Sequence, residues 1–98
     1  MVDHLVLFTV KDDASSEEVD DLVLSLRKLG DRIANVVDLS VGENFSKRGG
    51  GYTHGLFVCF RMRDDLRAYL ERSEHLAVVE KLDATTTGRL LVDYDHGP

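Results

Sequence analysis

The chain has 98 residues, 43% of them hydrophobic and 31% charged, with a net charge of −6. This length supports one domain with a single core, and the composition is globular, not disordered or membrane-spanning. The acidic balance argues against a nucleic-acid binder, which needs a basic patch, and the lone Cys59 excludes an internal disulfide framework and fits a reducing compartment. Met1-Val2-Asp3-His4 lacks the basic residues and long apolar run of a signal peptide, so a soluble, cytoplasmic protein is expected.

Val2, His4, Val6, Phe8 and Val10 alternate with Asp3, Leu5, Leu7 and Thr9. That pattern predicts a first strand with apolar residues on both faces. After the turn Lys11-Asp12-Asp13, Ser15 and Glu18 form a capping-box start for a helix. Its apolar stripe is Val19, Leu22, Val23, Leu26, Leu29 and Ile33, and Gly30 is expected at its C′ position. A more polar edge strand is expected over Asn35–Val41, then a glycine-rich loop from Glu43 to Gly51.

Gly51 to Phe60 reads as the third strand, with Tyr52, His54, Leu56, Val58 and Phe60 on one face. Thr53, Gly55, Phe57 and Cys59 lie on the other. Asp64-Asp65 is expected to cap a short helix carrying Leu66, Tyr69 and Leu70, and Ser73 a continuation carrying Leu76, Val79 and Leu82. Thr85 to Gly88 breaks that helix, Arg89 to Tyr94 is the fourth strand, and Asp95 to Pro98 reads as a frayed tail.

The order β-α-β-β-α-β specifies a single ferredoxin-like α+β domain over residues 1–98, a four-stranded antiparallel sheet with its helices on one face. Strands one and three are central in that topology, and they are the two that are apolar on both sides. The uncovered face, with Leu5, Leu7, Phe57 and Cys59, would be an apolar patch that soluble monomers rarely tolerate. A two-fold homodimer packed sheet to sheet is therefore expected.

Four histidines can exchange protons near neutral pH. His4 and His54 lie on the central strands. Tyr69 and His75, six residues apart, would diverge on one continuous helix, but a break near Ser73 lets both point to the sheet. A single histidine on an apolar strand face is more often a core residue with one satisfied hydrogen bond. Three histidines and a tyrosine directed at one region are a candidate pocket. Cys59 reads as an inert buried thiol, and His96 as part of the tail. Lys47-Arg48-Gly49-Gly50-Gly51 lacks the spacing of a phosphate loop and opens no helix, and the sequence has no zinc pattern.

Several segments together resemble the stress-responsive dimeric α+β barrel (Dabb) domain family over nearly the whole chain. They are His4-Leu5-Val6-Leu7-Phe8-Thr9-Val10-Lys11-Asp12, Val41-Gly42, Gly51-Tyr52-Thr53-His54, Tyr69-Leu70 with His75, and Leu91-Val92-Asp93-Tyr94. The resemblance implies two sheets closing into a barrel across a dimer. The chain is also similar to a plant branch of that family, polyketide cyclases of the olivetolic acid cyclase type, which close a linear polyketide thioester by an aldol condensation. That likeness implies that His75 is a general base taking a proton α to a carbonyl and that Tyr69 orients or polarises the carbonyl oxygen. It also implies that His4 and His54 line the ligand site, and that no metal or other cofactor takes part. Arg72-Ser73-Glu74 replaces the first three residues of the family's His-Pro-x-His pattern, placing charge at the pocket rim. Some members hold a cation on backbone carbonyls where the first helix turns into the second strand, which corresponds here to Gly30, Ile33 and Val36.

Two functions are expected from this. The first is a homodimer whose sheet–helix pocket takes a small apolar or aromatic molecule without catalysis. The alternative is a cofactor-independent cyclase or lyase. A haem- or quinone-handling monooxygenase, as in other dimeric α+β barrels, is weaker because nothing marks a haem ligand.

Overall fold

The computed structural model describes residues 1–97. The elements are β1 (Val2–Val10), α1 (Ser16–Arg32), β2 (Asp38–Glu43), β3 (His54–Phe60), α2 (Arg63–Glu71), α3 (Ser73–Thr85) and β4 (Thr86–Asp95). The strands form one antiparallel sheet in the order β2-β3-β1-β4. The two central strands are therefore the two with apolar residues on both faces, as the sequence predicts.

Register decides which residues share a face. His4 lies opposite Val58 on β3 and Asp93 on β4, and Phe8 lies opposite His54 and Arg89. Val2, His4, Val6 and Phe8 face the helices with Leu56, Val58 and Phe60, and all are buried. Leu22, Leu26 and Leu29 of α1, Leu66 and Tyr69 of α2, and Val78 and Leu82 of α3 close the core above them. Helix α1 starts as its sequence requires: the Glu18 amide donates to Ser15 Oγ (3.1 Å) and the Ser15 amide to Glu18 Oε1 (3.2 Å).

The other face carries no helix. Leu7, Leu90, Val92 and Tyr94 keep 38%, 47%, 48% and 45% of their surface exposed, and Leu5 and Phe57 are half-buried beside them. Adjacent large apolar residues left this open form the kind of patch that marks an interface.

Several local expectations are corrected. Helix α1 runs through Gly30 to Arg32 and is capped by Ile33. The glycine there serves a close approach, since a Cβ on it would lie 3.2 Å from that of Leu39 on β2. Strand β2 begins at Asp38, not Asn35, and β4 starts earlier, at Thr86, and ends one residue later than expected. Neither Asp64-Asp65 nor Ser73 is a cap: the cap positions are Met62 and Arg72, and neither offers a side-chain bond. The tail is tied down. Asp95 belongs to β4, the His96 amide donates to the Met1 carbonyl (3.1 Å), and His96 Nδ1 sits 2.7 Å from Asp3 Oδ2. Pro98, the end of the expected tail, lies outside the described residues.

Candidate functional site

The chain breaks between α2 and α3 at Arg72, whose extended backbone (φ −66°, ψ 141°) restarts the helix in a new direction. This turn brings Tyr69 and His75 together, with ring centroids 4.6 Å apart. The Tyr69 ring also meets His4 edge-on at 6.1 Å and Phe60 at 5.1 Å. Between sheet and helices lies a cavity of about 80 Å³, with His4, Tyr69, His75 and Arg89 as its polar lining among side chains such as Leu56 and Val78. Three of the four predicted site residues therefore converge.

Each polar group is set differently. His4 is 2% exposed, and its Nδ1–H donates to the Asp93 carboxylate from the facing position on β4. That bond holds a proton on Nδ1 and fixes the orientation of the ring. Asp93 is half-exposed, so it joins a buried imidazole to solvent. His75 Nδ1–H donates to the Leu70 carbonyl at 3.2 Å, which leaves Nε2 able to accept a proton. Burial lowers the His75 pKa, and the nearby His4 adds to this against the opposing Leu70 bond. His75 is thus poised as a neutral base around pH 7.

Tyr69 is the unusual group. Only 1% of it is exposed, and its hydroxyl has no hydrogen-bond partner among the described residues. Burial pushes its pKa up to about 12, so it stays protonated and offers an unspent donor. Buried polar groups are nearly always paired, so an orphan hydroxyl on a residue that borders a cavity suits a visiting acceptor.

His54 does not join this group. It stacks on Phe8 (5.1 Å, 7° between planes) and its Nδ1 bonds Thr53 Oγ1 at 2.8 Å. It lies four residues along β3 from Val58, the residue opposite His4, an offset of roughly 13 Å. Burial lowers its pKa, with Glu43 opposing. Its strand parity is shared with the cavity, but its position along the strand is not: it is buried against Phe8 and borders two other clefts, one with Glu43 and Arg48 and one with Arg27.

The rim differs from expectation as well. Arg72 grips Glu74 with two bonds (2.8 and 3.3 Å), and chiefly through them the Glu74 pKa falls to about 2. Arg72 and Glu74 thus form a self-neutralised pair. Sequence reading missed Asp93 as the partner of His4. The available signal was a carboxylate interrupting Leu91-Val92-Asp93-Tyr94, but naming its partner requires a register across 89 positions. Of the carbonyls considered for a cation, that of Ile33 already accepts from the Val36 amide (3.2 Å).

Topology and packing define a ferredoxin-like α+β domain with helices on one face of its sheet and an open apolar face on the other. The chain belongs to the Stress responsive A/B Barrel Domain (Dabb) family, whose model matches residues 2–96. It is 26% identical over 97 residues to the stress-response A/B barrel domain-containing protein DABB1 of Arabidopsis thaliana, covering 96% of this chain and 46% of that protein. It is also 26% identical over 83 residues to a second stress-response A/B barrel domain-containing protein of Arabidopsis thaliana, covering 83% of this chain and 31% of that protein. The chain thus spans less than half the length of these curated relatives.

Among solved structures it is similar to an Arabidopsis thaliana protein (TM-score 0.90, 22% identity, 100% and 97% of the two chains). A dimeric ferredoxin-like protein of Bacteroides fragilis is 30% identical, with a TM-score of 0.82 over 96% and 94% of the two chains. A hydroxynitrile lyase of Passiflora edulis shares the fold at 16% identity (TM-score 0.88, 95% and 90%). No helix among the described residues is long and apolar enough to cross a membrane.

Proposed function

We propose that the chain forms a homodimer through its open sheet face, in a cytoplasmic setting, and holds a small, mostly apolar ligand in the cavity beside Tyr69. The observation that carries this reading is the buried, unpartnered Tyr69 hydroxyl. A ligand carbonyl arriving there accepts the bond the fold leaves unmade, while the leucine and valine lining accepts its apolar body. The dimeric state of the Bacteroides fragilis relative supports the oligomer, as does the exposed Leu7–Leu90–Val92–Tyr94 patch. The test is calorimetric titration of straight-chain and aromatic ketones into the wild type and Tyr69→Phe. Wild-type binding weakened at least tenfold in the variant supports the reading, and equal affinities refute it.

A second reading is favoured by His75, a half-buried neutral base whose ring lies 4.6 Å, centroid to centroid, from that of Tyr69. With the carbonyl polarised by Tyr69, His75 Nε2 would take a proton from the adjacent carbon, the opening step of an aldol or lyase reaction. This chemistry is read out by exchange of the α-protons of 2-butanone in deuterated water. Exchange that His75→Asn abolishes supports it; a wild-type rate equal to buffer rules it out.

A further inference from the structure

Arg89 is the one permanently charged side chain lining the Tyr69 cavity among the described residues; the other lining groups are apolar or are His4, Tyr69 and His75. It lies on β4 opposite Phe8, while Asp93 on the same strand lies opposite His4. Four residues of strand separate these two points, roughly 13 Å of backbone. The cavity lining thus combines a hydrogen-bond donor and a base, Tyr69 and His75, with an arginine whose strand position is four residues from that of Asp93, the partner of His4. Leu91, also on the cavity wall, lies between them on β4. Asp83 of α3 binds Arg89 through one terminal nitrogen, Nη2. Asp83 is 63% exposed and Arg89 28%, so the pair is weak and leaves the rest of the guanidinium's donors for another acceptor.

Resting on the Tyr69 reading above, we infer that the ligand is a small oxo acid, its ketone oxygen on the Tyr69 hydroxyl and its carboxylate on Arg89, joined by an apolar chain. A carboxylate suits a planar, always-charged fork better than any neutral polar group. The length of the chain is what a cavity with two fixed polar groups would select.

The test is calorimetric titration of the full chain with 4-oxopentanoate, 5-oxohexanoate, 6-oxoheptanoate and 7-oxooctanoate, each beside its methyl ester. The expected result is one preferred length that binds at least tenfold tighter than its ester. Arg89→Gln should erase that preference and Arg89→Lys retain part of it, with melting curves showing both variants folded. Acids and esters binding equally in wild type and Arg89→Gln overturn the role of Arg89 while leaving the cavity reading standing. If no acid and no ester binds, both fall.

Discussion

Replacing Tyr69 by Phe removes one oxygen from a side chain that is 1% exposed and otherwise packed against Phe60, His4 and His75. A buried hydroxyl without a partner costs about 1–3 kcal/mol. Water able to visit the adjoining cavity reduces that cost, so about 1 kcal/mol is the fair expectation. Phenylalanine keeps the ring and its contacts, so the unliganded variant should be more stable than wild type. For a domain of this size 1 kcal/mol corresponds to a rise in Tm of roughly 4–8 °C. The assay is calorimetric melting without ligand at one fixed protein concentration, because subunit association also raises Tm. A variant melting several degrees below wild type would mean that the hydroxyl bonds within the fold. The site would then lose its reason to bind.

Four further outcomes follow from the same geometry. Leu90→Asp combined with Val92→Asp puts two charges on the open sheet face, and light scattering after size exclusion should give a monomer mass; an unchanged dimer places the interface elsewhere. Phe60, wholly buried beneath Tyr69, should cost about 3–5 kcal/mol when cut to alanine, and a loss under 1 kcal/mol in urea denaturation would show that the core is misplaced. Ser15→Ala removes the capping bond to the Glu18 amide and should cost about 1 kcal/mol in the same assay, whereas no loss would mean that the bond does not hold in solution. His54 and His75 both have folded pKa values below the ordinary 6.5. Their contribution to stability is complete above pH 6.5 and is lost as the pH falls toward the folded values, because the unfolded chain then binds more protons. Tm should therefore drop between pH 7 and pH 5, less steeply in His54→Gln, and an identical slope in that variant contradicts the burial argument.

The sequence carried the fold well where local rules decide it. The capping box of Ser15 and Glu18, the α1 stripe and the alternation of β1 each fix an element without distant information. The convergence of Tyr69 and His75 was legible for a similar reason, since a helix break was needed before both could face the sheet. Apart from cap and strand boundaries, the failures involve tertiary partners. Gly30 reads as a helix end by local rules, yet α1 runs through it and the missing side chain admits the close approach of Leu39. His54 has the right parity on its strand but the wrong offset along it, which alternation cannot reveal. His4 finds Asp93, and Asp3 finds His96, only once β4 and the tail are laid beside β1. The Asp3 carboxyl illustrates the competition such contacts settle. Burial pushes its pKa up, but the bond to His96 and further side-chain bonds hold it below the ordinary value.

Imidazole resonances of the wild-type protein, followed by NMR during titration with the ketone that binds best by calorimetry, test the Tyr69 cavity most directly. The expected result is that His4 and His75 shift together along one saturating curve while His54, packed on Phe8, stays in place. A ligand that moves His54 and leaves His75 and His4 unmoved would contradict it.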